Sequence, residues 1–409
     1  MEVRRGYKQT DIGIFPENWA VQPLVHCCDY ADYRGKTPPK TPSGIFLITA
    51  RNVRKGFIDY EESKEYVATN QYELIMRRGK PHIGDVLITT EAPLGNVAQI
   101  DREDVALAQR IIKYRPKNFN LSSKYLKHYL LSDRFQAILD GHASGSTAKG
   151  IKGSVLHQLP VVIPPRSEQD AIAEVLGDAD ALIESLEQLI VKKRQIKQGA
   201  MQELLTGKRR LPGYAQEWTV KSLGEIGESL IGLTYKPSEV RTDGFLVLRS
   251  SNIFQGALCF EDNVYVAAEF PEKIMVRPGD ILICVRNGSR DLIGKCAKID
   301  DRAKGMTFGA FMAVFRTAYH SFVYHQFQSS VIIRQIQEHL GATINQITNK
   351  SLNSFRIPFP LDFLEQNAVA SVLDDMDAEI TTLGAKLAKV RLVKQGMTQE
   401  LLTGRIRLV

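Results

Sequence analysis

The chain reads as an α/β (α+β) protein in which two β-rich globular domains alternate with two long helices. Three features predict this: an internal repeat, heptad spacing of apolar residues inside the repeat, and short apolar runs broken by Gly, Pro and Asp elsewhere. Residues 168–211 align without a gap with residues 365–408, and 24 of the 44 positions are identical. Within that match Gln202-Glu203-Leu204-Leu205-Thr206-Gly207 returns 197 residues later as Gln399-Glu400-Leu401-Leu402-Thr403-Gly404. A fixed period of this kind is a tandem duplication. A duplicated chain presents two related surfaces, which suits a partner with two related halves.

The repeated segments carry a helical pattern. In the second copy Val369, Leu373, Met376, Ile380, Leu383, Leu387, Val390, Met397 and Leu401 follow alternating steps of four and three, and only Lys394 interrupts the seam. The first copy places Ile172, Leu176, Ala179, Ile183, Leu186, Ile190, Ala200 and Leu204 at matching positions, with Lys193 and Lys197 breaking it. Heptad spacing sustained over about four repeats is the pattern of a coiled-coil seam. Each helix should be ~40 residues and roughly 60 Å long. Ser167 and Asp362 suit N-caps, and Gly207 and Gly404 suit C-terminal stops. Each helix could pack on its own neighbouring domain, but two narrow seams of equal length favour pairing with each other.

A weaker repeat precedes each helix. Trp19-Ala20-Val21-Gln22-Pro23-Leu24 parallels Trp218-Thr219-Val220-Lys221-Ser222-Leu223, and residues 44–52 parallel residues 244–252. Gly84-Asp85-Val86-Leu87-Ile88 parallels Gly279-Asp280-Ile281-Leu282-Ile283, each a turn feeding a short apolar strand. A helix is expected near Ser122–Leu139 in the first domain and near Phe322–Leu340 in the second. The order is therefore a globular domain over 1–163, a long helix over 164–207, a second domain over 208–357 and a second helix over 358–409.

Composition sets bounds on function. The 409 residues are 44% hydrophobic and 24% charged, ordinary for a globular protein. No apolar run approaches the ~20 residues that span a bilayer, and the N-terminus lacks the apolar stretch of a signal peptide. The five cysteines (Cys27, Cys28, Cys259, Cys284, Cys296) show no Cys-x-x-Cys spacing and read as reduced thiols of a cytoplasmic protein. A net charge of +7 and a pI near 9.0 favour a polyanionic partner.

Catalytic patterns are missing from the sequence. There is no Gly-x-Gly-x-x-Gly after a strand and no His-Glu-x-x-His. Residues 145–152 imitate a phosphate-binding loop, but the lysine is displaced and no Ser or Thr follows it. His320 and His325 are spaced as surface residues and not as metal ligands. The tetrapeptides typical of amino-group methyltransferases do not occur. The chain reads as a binder with no catalytic residues, no metal site and no cofactor of its own.

Ile163-Pro164-Pro165-Arg166-Ser167-Glu168-Gln169, the long helix that follows and its Leu204-Leu205-Thr206-Gly207-Lys208 exit resemble the conserved regions of the specificity subunit of type I restriction-modification systems. Residues 145–151 resemble the polar turn that ends a target-recognition domain in that family, and 341–347 are a degenerate second copy. In the second copy of the helix start, Ile357-Pro358 stands three residues further from Glu365-Gln366. The resemblance covers essentially the whole chain. It implies two target-recognition domains, each reading one half of a split, asymmetric sequence in double-stranded DNA. The long helices would pair as an antiparallel coiled coil with internal pseudo-twofold symmetry and set the gap between half-sites. Partners would be two methyltransferase subunits using S-adenosylmethionine and motor-nuclease subunits using ATP and Mg, with all catalysis in those chains. A second reading, a coiled-coil adaptor that binds only protein, separates from the first in a DNA shift assay.

Base edges call for Arg, Asn and Gln, and phosphates for Lys, Arg and hydroxyls. The candidates in the first domain are Lys36, Thr37, Arg51, Asn52, Arg54, Lys55, Ser146, Thr147, Lys149 and Lys152. In the second they are Thr234, Tyr235, Lys236, Arg249, Ser251, Asn252, Arg286, Asn287, Ser289 and Arg290. Asn52 and Asn252 also suit turn residues ahead of Gly56 and Gly256. The Arg286–Arg290 loop stands out because it crowds two guanidiniums and an amide around a glycine.

Overall fold

A computed structural model describes residues 4–33, 37–118, 120–145, 149–267, 269–340 and 345–408. The chain divides into two compact units, one of Met1–Glu187 with Lys386–Val409 and the other of Gln188–Ala385. The division falls inside the long helices and not at their ends. Each unit therefore holds one globular domain, the half-helix that leaves it and the half-helix that returns to it.

The first unit is built on a four-stranded antiparallel sheet in the order Cys28–Asp32, Ile111–Pro116, Val86–Thr90, Leu94–Gln99. Ile112 stands opposite Asp32 on one side and Ile88 on the other. A second, three-stranded sheet sets Ile45–Ile48 between Tyr66–Val67 and a parallel Val105–Leu107. The fully buried run Val86–Thr90 fits its central place, since both faces of that strand are covered. The second unit repeats the plan with Glu228–Ile231, Met312–Arg316, Ile281–Cys284 and Cys296–Lys298. Its second sheet again pairs a strand, Phe245–Leu248, in parallel with Thr307–Phe308.

The single helix expected near Ser122–Leu139 is two helices, Ser123–Leu131 and Asp133–Gly141, and the second unit likewise has His320–Gln328 and Ser330–His339. The break falls at Ser132 and at Ser329, both in extended conformation. The Ser132 hydroxyl donates to the Tyr129 carbonyl at 2.6 Å and accepts from the Phe135 N–H at 3.3 Å, closing one helix and opening the next. His325, expected at the surface, is fully buried on the first of these helices, its Nε2 2.9 Å from the Asp374 carboxylate. An apolar neighbourhood on one helix face overrode the polar look of the residue. Its counterpart His128 is also buried, and that burial pushes its imidazole down to about 3, so it is neutral at pH 7.

The long helices span Arg166–Leu204 and Phe363–Leu401, 39 residues each. Ser167 lies inside the first helix and not at its cap. Asp362 does cap the second, accepting from the Leu364 N–H at 2.8 Å. Gly207 and Gly404 end the helices at φ of +71° and +68°, a region glycine enters without cost. A Cβ at Gly207 would also lie 3.2 Å from the Trp218 ring.

Of the seam positions, Ile172, Leu176, Leu186, Ile190, Val369 and Leu373 are buried, while Ile183, Met376, Ile380, Leu383, Leu387 and Val390 are half-buried. The ends of the seam belong to domain cores: Ile172 and Leu176 join Leu401 and Leu402 in one, and Val369 and Leu373 join Met201, Leu204 and Leu205 in the other. Near each domain, then, the helix packs on its own domain core together with the end of the other helix. In the first unit Asp180 pairs with Lys394 and Glu187 with Arg391. In the second, Lys193 pairs with Glu379 and Lys197 with Asp377, both at 2.6 Å. Within each unit the partner numbers fall as the helix numbers rise, so the half-helices run antiparallel. Lys193 and Lys197, which break the apolar seam, are the residues that make these ion pairs.

A buried carboxylate closes each unit. Glu168, with no exposed surface, accepts from the Trp19 indole N–H at 3.0 Å and takes two bonds from Arg407 at 2.5 and 2.8 Å. Glu365 repeats this with Trp218 at 3.1 Å and Arg210 at 2.5 and 2.7 Å. Each guanidinium also lies 5.6 Å from the centroid of its tryptophan ring, a cation–π distance. The next residue, Gln169, satisfies the Ser122 N–H and the carbonyls of Asn120 and Pro164.

Two predictions follow from these buried charges. Removing one partner of a buried ion pair costs about 3–5 kcal/mol because the other is left uncompensated. Glu168→Ala should therefore lower the first calorimetric unfolding transition by close to that amount, and adding Arg407→Ala should cost little more. Independent, additive losses would show that the pair does not act as a unit. The second concerns Asp85, which is buried and held by Arg115 at 2.6 and 2.8 Å, by Lys113 at 3.2 Å and by the His82 N–H at 2.9 Å. Burial pushes its carboxyl up, but the Arg115 bonds, the His82 N–H and the neighbouring charges outweigh it and hold the carboxyl below its ordinary 3.8. Its contribution is thus present above about pH 4 and lost as pH falls through the lower folded value. Urea midpoints between about pH 2 and 4 should fall more steeply for the wild type than for Asp85→Asn; parallel curves would remove Asp85 from the acid response.

Candidate nucleic-acid interface

Among the predicted contact residues, Arg286–Arg290 follows a strand of the central sheet, whereas Arg51–Lys55 and Arg249–Asn252 follow Ile45–Ile48 and Phe245–Leu248 of the second sheets. In the second unit the strand Ile281–Cys284 runs out into the Arg286–Arg290 loop. The N–H groups of Val285 and Arg286 both donate to the Phe311 carbonyl at 3.1 Å, and the Ile347 N–H donates to the Val285 carbonyl at 2.8 Å. The Leu233 N–H donates to the Phe308 carbonyl at 2.7 Å and the Ala310 N–H to the Leu233 carbonyl at 2.9 Å, setting Leu233 beside the 309–311 turn. The Asn287 amide donates to the Ser250 hydroxyl at 3.2 Å, and Lys295 Nζ to the Ser250 carbonyl at 3.2 Å. Ser250, Arg286, Asn287 and the 309–311 turn thereby meet at one corner of the unit; of the predicted residues here Thr234, Lys236, Ser251, Arg286 and Ser289 are exposed and Tyr235 and Asn287 half-buried. Arg290 is exposed too, but it lines a hollow with Gln255, Lys295 and Gln337.

The first unit builds the same corner from the strand Val86–Thr90. The Thr90 N–H donates to the Arg110 carbonyl at 2.9 Å, the Ile151 N–H donates to the Thr90 carbonyl at 3.0 Å, and Glu91 bridges Gly150. Thr37, Arg51, Lys55, Lys149 and Lys152 are exposed on the turns of this unit. Lys36, Ser146 and Thr147 lie outside the described residues.

Several candidates are already engaged. Asn52 is fully buried: its amide donates to the carbonyls of Asp59 and Ser63 at 2.9 and 3.0 Å, and its oxygen accepts from the Thr49 N–H at 2.9 Å. Asn252 is equally buried, donating to the carbonyls of Cys259 and Asp262 and accepting from the Arg249 N–H. Both amides staple a turn from inside and are removed from the set of surface readers, because a buried amide must satisfy itself within the fold. Arg54 gives a terminal nitrogen to Glu62 at 2.8 Å, Arg249 one to Asp262 at 2.8 Å, and Lys149 its ammonium to Asp140 at 2.7 Å.

Sequence reasoning passed over Glu91, Arg110 and Phe311. Arg110 and Glu91 form an ion pair at 2.8 Å, both about half exposed, with Arg110 at φ +72°. In the second unit the Arg286 guanidinium lies 4.9 Å from the centroid of the Phe311 ring, itself 57% exposed. The signal was present in the repeat, but the spacing between strands differs in the two halves and hides it. Among the described residues no group of three or more His, Cys, Asp or Glu side chains could hold a metal ion, and no helix is long and apolar enough to cross a membrane. All five cysteines are free thiols.

Comparison with known proteins agrees with this architecture. The type I restriction modification DNA specificity domain matches residues 34–193 and again residues 215–391. The MjaVIII specificity subunit of a type I restriction enzyme from Methanocaldococcus jannaschii is 23% identical, over 96% of this chain and 94% of that protein. The putative type I restriction enzyme MjaX specificity subunit of the same organism is 26% identical, over 98% and 96%. The crystal structure of the S subunit of a type I restriction-modification system from M. genitalium superposes with a TM-score of 0.63 at 17% identity, covering 98% of each chain, which shows a shared fold. With the domain matched twice and across most of its length, the chain belongs to the type I restriction-modification DNA specificity family, as a specificity subunit and not as a catalytic chain.

Proposed function

We propose that this chain is the DNA-reading subunit of a type I restriction-modification complex in the cytoplasm, each unit reading one half of a bipartite, asymmetric target. The observation that carries the reading is that two units of one plan, each closed by the same Trp–Glu–Arg bracket, carry different side chains at the same corner. A shared frame with different corners is what a protein needs to read two unlike half-sites at a fixed distance. The Arg- and Lys-bearing turns suit phosphates and guanine edges, and the net charge of +7 favours a polyanion.

The long helices act as the spacer, pairing as an antiparallel coiled coil with pseudo-twofold symmetry. The antiparallel ion pairs within each unit and the equal 39-residue lengths support this. Leu182, Val191, Ile196, Leu392 and Val393 are 44–69% exposed on these helices. Such apolar exposure suits docking of two methyltransferase subunits, whose S-adenosylmethionine, together with the ATP and Mg of motor-nuclease subunits, supplies the chemistry.

The test is selection from a random duplex pool by the full chain with its methyltransferase partner. The retained sequences should share two short blocks separated by a constant gap. Deleting one heptad from the middle of each long helix (Leu186–Lys192 and Leu383–Lys389) preserves the seam register and removes about 10 Å. The gap should shorten by about three base pairs at ~3.4 Å each, with both blocks unchanged. A pool without enrichment would favour an adaptor that binds only protein, and altered blocks at constant gap would refute the spacer role.

A further inference from the structure

We infer that Arg110 and Arg286 are equivalent specificity-determining residues, each reading a guanine in its own half-site, with Glu91 and Phe311 as the residues that position them. This rests on the reading that each unit binds one half of a DNA target. The sheet registers define the equivalence. Thr89 stands opposite Ile111 in the first unit and Cys284 opposite Met312 in the second. Glu91 and Arg286 are each two residues beyond the first member of the pair, and Arg110 and Phe311 each precede the second. The arginine thus comes from one side of the corner in the first unit and from the other side in the second. Aligning the two halves matches Glu91 with Arg286 and Arg110 with Phe311, an apparent change of charge that conceals a conserved guanidinium.

The geometry at each corner leaves a guanidinium fork unoccupied. Glu91 Oε1 lies 2.8 Å from the Nε of Arg110, and no hydrogen bond from this guanidinium is present among the described residues, so its terminal nitrogens remain for a bidentate acceptor. Arg54 and Arg249, by contrast, give terminal nitrogens to Glu62 and Asp262. An ion pair between half-exposed side chains contributes at most about 1 kcal/mol to stability, so fixing the direction of the fork is the larger effect of Glu91. Arg110 also holds a left-handed backbone, φ +72°, uncommon for a residue with a side chain and concentrated at functional sites. In the second unit the Arg286 guanidinium carbon lies 4.9 Å from the centroid of the Phe311 ring, a cation–π distance that restricts where the guanidinium can sit. Guanine offers O6 and N7 to such a fork in the major groove.

The experiment repeats duplex selection with the full chain and its methyltransferase partner, using R110K, R286K, E91Q, F311L and F311Y. Lysine keeps the charge but loses the fork. R110K should relax one guanine position in one half-site, and R286K one in the other, each by about 10–100-fold in discrimination. E91Q and F311L should relax those same positions more weakly, and F311Y should retain them. Replacing the guanine by 7-deazaguanine, which lacks N7, should weaken the wild type about tenfold and the corresponding lysine variant less. An unchanged motif, equal weakening for every sequence as from a phosphate contact, or both variants acting on one half-site would overturn the assignment. A wild type that selects no bipartite motif would instead overturn the underlying function, and the inference with it.

Discussion

A buried carboxylate at the head of each long helix is the constraint on which the rest depends. Glu168 and Glu365 have essentially no access to water, and an uncompensated charge in that position would cost several kcal/mol. The compensation comes from two distant places: a tryptophan at the start of the same domain, and an arginine just past the end of the other long helix. Each domain is therefore completed by a segment that reaches it only after the chain has run the length of a helix. The first unit takes its arginine from Arg407 and so needs two separate stretches of chain, whereas the second takes Arg210 from within one continuous stretch, Gln188–Ala385. Gly404 and Gly207 make the approach possible, since a side chain at Gly404 would collide with Pro16 and press on Trp19, and one at Gly207 would press on Trp218.

This bracket explains why helix length and domain structure are linked. The ends of the helices are core elements: Leu401 and Leu402 in the first unit, Leu204 and Leu205 in the second. Their middles are held by half-buried apolar residues and by ion pairs such as Lys193 with Glu379. Exposed pairs of this kind contribute little stability and serve mainly to fix direction and register.

Much of this was legible in the sequence, for physical reasons. The repeat, the seam and the glycine stops are local patterns that survive translation into structure because heptad spacing and positive φ leave few alternatives. The paired Gly-Asp turns before Val86 and Ile281 anticipated the two central strands. Legibility failed where tertiary context decides. Ser132 and Ser329 split what looked like one helix, His325 went inside, and Asn52 and Asn252 proved to be interior staples although their polarity suggested a surface. The corner of Glu91 and Arg110 in one unit and that of Arg286 and Phe311 in the other were hidden because the intervening loops differ in length, so equivalence shows only in the strand registers.

The most direct test of the central claim is a map of methylated adenines in cells that express this chain with its methyltransferase, compared with cells lacking the chain. The account predicts a chain-dependent motif of two unlike blocks with a constant gap, each block lost by altering the corner of one unit alone. Adenine methylation that persists unchanged without the chain, or a single uninterrupted motif, would contradict it.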